Sequence, residues 1–206
     1  GRSEFMECVA GRFNAQAGTV LLGDEDISKL SIAERISIGL ALVPEDRQKD
    51  GLVQTMSVGQ NLSLASISDF TKKLFTSKSS ESTLVNHSIK AVTVKASGAD
   101  AAIGSLSGGN QQKVVIGKML ATNPRVLLLD EPSRGIDIGA KAEVFKLLSE
   151  RAREGLAVIY STSEVAECLS IAHLIIVMHK GQISAEFDST VSKEQIMAAS
   201  GESVAH

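Results

Sequence analysis

The sequence predicts an α/β fold with a mostly parallel sheet plus a helical subdomain, and three observations point there. Near-continuous apolar runs, "RVLLLD" at 125–130 and "LAVIYST" at 156–162, read as strands covered on both faces. Helical patterns lie beside them, notably Asn110–Ala121 and Lys141–Arg153, and strands alternating with helices indicate a parallel sheet. From Val53 to Ile103, by contrast, there is no good strand.

In chain order, "GRSEFMECVAGRF" continues into a plausible helix, and strands are expected at Thr19–Leu22 and Leu40–Val43. Two helix-like segments follow, separated by "SDFTKKLFTSKSSEST", a serine- and lysine-rich stretch expected to be mobile, with Lys72, Lys73 and Lys78 in a polar loop. Strands then recur at Val126–Asp130, Leu156–Thr162 and Leu174–Met178, with "QISAEF" after the Lys180–Gly181 turn. The tail "GESVAH" is expected to fray. The resulting division is a core made of residues 1–52 and 104–206 and a helical subdomain at 53–103.

The bulk numbers narrow the function. A chain of 206 residues has room for one domain or one domain with a small insert. The formal net charge of -3 offers no surplus of Lys and Arg for a phosphate backbone, so no nucleic acid is expected as a partner. Cys8 and Cys168 both fall in helix-like segments, which favours reduced, packed thiols and a cytosolic setting. The apolar runs "VLLLD" and "HLIIVM" are far short of the about 18 residues of a membrane span, and no basic-then-apolar leader opens the chain. His87, His173, His179 and His206 have no metal-ligand spacing, and Tyr160 sits in an expected buried strand as core.

Two stretches carry chemistry. "RVLLLDEPSRGID" describes a buried strand delivering Asp130 and Glu131 at its C-terminal edge, where open α/β sheets bind ligands. Asp130 can hold Mg²⁺ through water and Glu131 can orient an attacking water; the plain alternative is a strand followed by an acidic cap. "LSGGNQQK" places Ser107, Gly108 and Gly109 at the start of a helix whose apolar face is Val115, Ile116, Met119 and Leu120. Free N–H groups and the positive dipole end suit an anion there, and glycines let it approach the backbone.

"LSGGNQQK", then "VLLLDEPSRGID", then "GAK" resembles the ATP-binding subunit of ABC transporters, which implies a P-loop ABC-type ATPase core. The wording is similar to the second ATPase domain of the sugar importers that take up ribose, galactose, xylose and related sugars, and "GLALVPEDRQKDGLVQTMSVGQNLSLAS" extends the match. The resemblance implies ATP and Mg²⁺ as cofactors and a companion ATPase domain paired head to tail. It also implies transmembrane permease subunits, an indirect periplasmic-type sugar-binding protein, and a peripheral place on the cytoplasmic face of the cell membrane. By that analogy Ser107, Gly108, Gly109 and Gln111 serve a nucleotide on the partner domain, and Asp137 lies in the loop crossing the same interface.

The chain departs from the pattern at its own nucleotide site. Of a phosphate loop G-x-x-x-x-G-K-[ST], Gly1 matches the last glycine, Arg2 replaces the lysine, and Ser3 matches the metal-binding hydroxyl. The expectation is a fragment beginning inside the loop, without the strand that leads into it. Arginine is a planar fork and no point charge, so the exchange is not conservative. Glu45 stands where the family's metal-reaching glutamine is usual, and Ser163 where a histidine usually contacts the γ-phosphate. The expected function is an ATP-hydrolysing helper half that donates its signature turn and is itself weakly active. Rival readings are a non-transport ABC ATPase acting on ribosome or DNA, and a nucleotide-free pairing module. "RQKDG" reads as a solvated turn, or as a contact to the membrane subunit.

Overall fold

The computed structural model describes residues 1–67, 71–72, 75–76 and 78–201. Two residues each at Leu21–Leu22 (β1) and Glu25–Asp26 (β2) form an antiparallel hairpin, and Leu40–Val43 (β3) begins the main sheet. Thr71–Lys72 (β4) and Phe75–Thr76 (β5) pair as a second small hairpin. Val126–Asp130 (β6) and Ala157–Ser161 (β7) complete a three-stranded parallel sheet in the order β3-β6-β7. Its register runs Leu40↔Val126 on one side of β6 and Asp130↔Ser161 on the other.

The apolar run of β6 is explained by the two cores that it separates. Leu127 and Leu129 face a cluster with Val43 of β3 and with Val114, Ile116 and Val144 from the helices Gly108–Leu120 and Ile138–Arg153. Leu128 faces the other way, onto Met6 and Ala10 at the N-terminal helix Arg2–Val9, with Ile27 and Leu40. All three leucines are fully buried, so a strand with alternating faces needs apolar residues at every position.

The strand β7 does not share that environment. It is the edge of the sheet among the described residues, its side chains are exposed or half-buried, and Ile159 is 46% exposed. The expectation of cover on both faces fails there: Val158 and Tyr160 pack against the main core, whereas Ile159, on the opposite face, is left largely uncovered. Leu174–His179 (β8) and Gln182–Asp188 (β9) instead form a separate antiparallel hairpin, with a small core of Ile175, Val177 and Ile196 closed by the C-terminal helix Lys193–Ser200.

Between residues 53 and 103 lie the helix Val58–Ser63, the β4–β5 hairpin and the helix Lys78–Ala91. Ser57 and Gln60 form a capping box at the first of these helices, which satisfies two otherwise unpaired backbone donors. Fully buried Asn61 accepts from the Val53 amide and donates to the carbonyls of Val53 and Ser57, fastening the entry loop. Two expectations change here: a short hairpin is present, and Lys78–Thr83 of the serine-rich stretch is the start of a helix and not loop. The rest of the expected mobile stretch, apart from the hairpin backbone, and residues 202–206 of the tail with His206, lie outside the described residues. Cys8 and Cys168 are free thiols in helices, and no helix among the described residues is long and apolar enough to cross a membrane.

Candidate functional site

The C-terminal ends of β3, β6 and β7 come together with the start of the helix Arg2–Val9, and that convergence builds the first candidate site. Gly1 is the residue before this helix and provides no side-chain cap, so the first N–H groups of the helix have no capping partner. Ser3 Oγ donates to Glu45 Oε2 at 3.5 Å. Arg2 bends across the site: one guanidinium nitrogen donates to Glu131 Oε1 at 3.3 Å, and another donates to the Thr162 carbonyl. Glu45 is further paired with Arg134. A cavity of about 530 Å³ opens here, lined among others by Arg2, Glu45, Glu131 and Ser163.

Glu131 holds an unusual backbone. Its φ is +43°, the left-handed region that non-glycine residues rarely enter. Its N–H donates to the Ser161 carbonyl at 2.9 Å, and its own carbonyl accepts from the Arg134 N–H at 3.0 Å. Such strain persists only where neighbours over-determine it, and it gathers at functional sites.

The oxygen donors at these strand ends fit Mg²⁺. Asp130 is buried, and its Oδ1 has no hydrogen-bond partner, although it lines neither cavity. Ser3 Oγ and Glu45 supply further hard oxygens, the type Mg²⁺ prefers. Among the described residues no group of three or more His, Cys, Asp or Glu could hold a metal ion. Oxygen donors of this kind could hold Mg²⁺ together with nucleotide phosphates and water.

The signature turn lies on a second surface. Ser107 is the N-cap of the helix Gly108–Leu120, its Oγ accepting from the Asn110 side chain at 3.0 Å. Asp137 is the N-cap of Ile138–Arg153, with Oδ1 accepting from the Ala140 N–H at 2.9 Å. Ser107, Gly109 and Asp137 line a cavity of about 310 Å³ that shares no lining residue with the first. Beneath it, almost fully buried Lys113 pairs with Glu143 and donates to the Thr93 carbonyl at 3.2 Å.

Intrachain contacts account for several residues of this turn. Gln111, expected to meet nucleotide, is buried; its Nε2 donates to the Ile103 carbonyl at 3.3 Å, and it lines neither cavity. The bare glycines answer first to the chain itself. A Cβ on Gly109 would stand 2.3 Å from Ala140 Cβ, so the close crossing of two helices demands glycine there. A Cβ on Gly108 would meet the Arg47 guanidinium at 2.8 Å.

Sequence reasoning missed the side chains that tie these loops together. "RQKDG" is a single π-helical turn, Arg47–Gly51, and Arg47 donates to the carbonyls of Arg134 at 2.8 Å and Gly135 at 3.2 Å. Single π turns often mark functional sites; the only sequence signal was the position just after Glu45. Tyr160 is half-buried, with its ring edge-on to Phe145 and its OH donating to Glu167 Oε2 at 2.6 Å. Burial first, then its bond to the Glu167 carboxylate, pushes the Tyr160 phenol far up. Burial also works hardest against ionised Glu167, yet the combined hydrogen bonds from Lys141, Tyr160, Ser133 and Thr162 hold the carboxyl below its ordinary range.

Known proteins share both the sequence and the architecture. A family model described as ABC transporter matches residues 1–134. The xylose import ATP-binding protein XylG of Photobacterium profundum is 43% identical over 199 residues, covering 96% of this chain and 39% of that protein. The protein of the same name from Escherichia coli (strain K12) is 40% identical over 209 residues, covering 100% of this chain and 41% of that protein. The chain thus spans about two fifths of the length of the curated relatives it matches. Among solved structures, the dimeric post-hydrolysis state of the ATP-binding cassette MJ0796 bound to ADP and Pi matches with a TM-score of 0.78 at 22% identity, over 92% of this chain and 81% of that one. A nucleotide-free ATP-binding cassette from an ABC transporter matches with a TM-score of 0.81 at 23% identity, over 98% and 80%. These likenesses show an ABC ATPase fold, and with a family model covering well over half of its residues the chain belongs to the ABC transporter family.

Proposed function

We propose that this chain is an ATP-binding domain of a sugar-import ABC transporter, acting as the helper half of an unequal pair. Its 40–43% identity to xylose import ATP-binding proteins supports the substrate class. In this reading residues 1–52 and 104–206 are the ATPase core and 53–103 the helical subdomain. The partners are a companion ATPase domain, transmembrane permease subunits and, indirectly, a periplasmic-type sugar-binding protein. The place of action is the cytoplasmic face of the membrane.

The observation that carries the helper role is the separation of the two cavities, together with Arg2 lying across Glu131. Ser107, Gly108, Gly109 and Asp137 are available to a nucleotide held by another domain, with the free N–H groups of the helix start as anion donors. At this chain's own site, Gly1, Arg2 and Ser3 meet the phosphates, and Ser3, Glu45 and Asp130 hold Mg²⁺, whose chemistry is to neutralise phosphate charge. Glu131 accepts a hydrogen bond from the attacking water; the water oxygen bonds the γ-phosphorus as the bridging oxygen leaves with ADP, and the water's proton passes through Glu131 to solvent or to the phosphate product. Ser163 donates a hydrogen bond but brings no positive charge. Arg2 is engaged by Glu131 and Thr162, so nucleotide must displace it before the site closes.

Calorimetry with MgATP tests the proposal, first on this chain alone and then on its mixture with the companion ATPase domain. Binding only in the mixture is expected, and Ser107→Arg should abolish turnover by the assembled pair. Tight binding by the lone chain, or turnover that survives Ser107→Arg, refutes the helper role. Pairing without any nucleotide binding would instead indicate a pairing module.

A further inference from the structure

Beside the Glu131 loop lies a carboxylate that no step above uses. Glu167, on the short helix Val165–Ile171, is 3% exposed and is reached by four donors from separate parts of the chain. Ser133 Oγ donates at 2.7 Å, Tyr160 OH at 2.6 Å and Thr162 Oγ1 at 2.8 Å, and Lys141 Nζ pairs with it at 2.5 Å. A carboxylate has about four lone-pair sites, and here they meet donors from the loop after β6, from β7, from the residue after it and from the helix Ile138–Arg153.

Three of the four arms end near a residue of the nucleotide site. Ser133 is two residues beyond Glu131, and Thr162 immediately precedes Ser163 and offers its carbonyl to Arg2. Lys141 stands in the first turn of the helix capped by Asp137, and its second partner is Glu164 at 3.0 Å. The backbone of Glu131, at a positive φ, is bonded to Ser161 and Arg134, and those bonds fix it only while the Pro132–Arg134 turn stays in place.

We propose that Glu167 is a positioning residue whose buried carboxylate clamps Ser133 to Thr162, and so keeps Glu131 in its left-handed conformation and Ser163 in register beside it. The purpose of the clamp rests on the reading that Glu131 and Ser163 face the γ-phosphate. The clamp itself does not. A buried charge that loses a donor is poorly tolerated, so Ser133 and Thr162 are held together or released together. Nothing about a helix that merely needs filling requires hydroxyls from the loop after β6, from β7 and from the residue after it to converge on one carboxylate.

The test is amide hydrogen exchange on the full chain, for Glu167→Gln, Ser133→Ala, Thr162→Val and Thr162→Ser, with exposed Glu150→Gln as a surface control. Loss of one clamp arm is expected to speed exchange at the Glu131 and Arg134 amides by at least about tenfold, as expected when a buried hydrogen bond is lost. The amides of Leu127–Leu129 should keep their protection. Thr162→Ser retains the hydroxyl and should exchange like the parent, which separates the clamp from general damage should Glu167→Gln fail to fold. Unchanged rates at Glu131 in Ser133→Ala and Thr162→Val overturn the proposal, as does a uniform rise along the whole β6 strand. MgATP affinity at this chain's own site in the assembled pair gives the second readout, because a helper half contributes little turnover there. If Glu131→Gln leaves that affinity untouched while the exchange pattern holds, the clamp stands and the γ-phosphate reading falls.

Discussion

Gly109→Ala should destabilise the fold through a single contact. The added Cβ would lie 2.3 Å from Ala140 Cβ, whereas ordinary contact begins at 3.4 Å, so the helices Gly108–Leu120 and Ile138–Arg153 must part by about 1 Å or tilt. Ala140 has no flexible end to move aside, unlike a long side chain. Overpacking of this kind costs about 1–3 kcal/mol, and the better helix propensity of alanine returns about 1 kcal/mol at most. A net loss of about 1–2 kcal/mol is expected, a fall of about 2–8 °C in Tm for a domain of this size. Urea unfolding followed by circular dichroism measures it. The double variant Gly109→Ala/Ala140→Gly removes the overlap, so the two changes should couple by at least about 1 kcal/mol. Gly108→Ala is the contrast: its Cβ meets the movable Arg47 guanidinium at 2.8 Å and the Gly135 carbonyl at 3.2 Å, and the cost should stay within about 0.5 kcal/mol. A Gly109→Ala protein as stable as its parent, or a double variant equal to the sum of its parts, would refute the packing explanation and return the glycine to ligand approach alone.

Two further changes probe the polar framework. The Glu143 carboxyl is held below its ordinary value of 4.5 first by the hydrogen bond from Lys113, then by that ammonium's charge, with Lys95 adding to both effects. An acid depressed in the folded state stabilises fully above its unfolded pKa, and that contribution is lost as pH falls through the lower folded value. Glu143→Gln should therefore flatten the stability loss below about pH 4.5; the effect is modest because Glu143 is 42% exposed and water screens the pair. Parallel pH profiles for parent and variant would remove Glu143 from the account. Tyr160→Phe keeps the edge-on contact with Phe145 but deletes the 2.6 Å bond to buried Glu167. It should cost about 1–2 kcal/mol in urea unfolding, and a neutral result would mean that Glu167 is satisfied without the phenol.

Some of this architecture could be read from the chain. The strands Leu40–Val43 and Val126–Asp130 are found at their expected bounds because the apolar runs are bounded sharply, by Gly39 and Pro44 for one and by Arg125 and Glu131 for the other. The Leu156–Thr162 strand is shortened to Ala157–Ser161, and its half-exposed face was not readable, because an apolar sequence does not reveal whether a neighbour is present. The helix from Lys78 hid in a run of serines and lysines that carries little helical periodicity.

The candidate site divides in the same way. The convergence of Asp130 and Glu131 on a strand end follows from a short buried strand running into two carboxylates, a local pattern that the pleat enforces. The Glu167 clamp was not legible, since Ser133 and Glu167 are 34 positions apart and each looks like an ordinary polar residue beside a helix or turn. Gly109 read as an open approach for an anion until Ala140 was placed against it. The strand periods, the helix starts and the order of the motifs were therefore set by the sequence alone, through backbone repeats that act over a few neighbouring residues. Which glycine meets a helix, which carboxylate is buried and which site residues share a cavity were decided only by tertiary packing, because those contacts join segments whose separation the local repeats do not control.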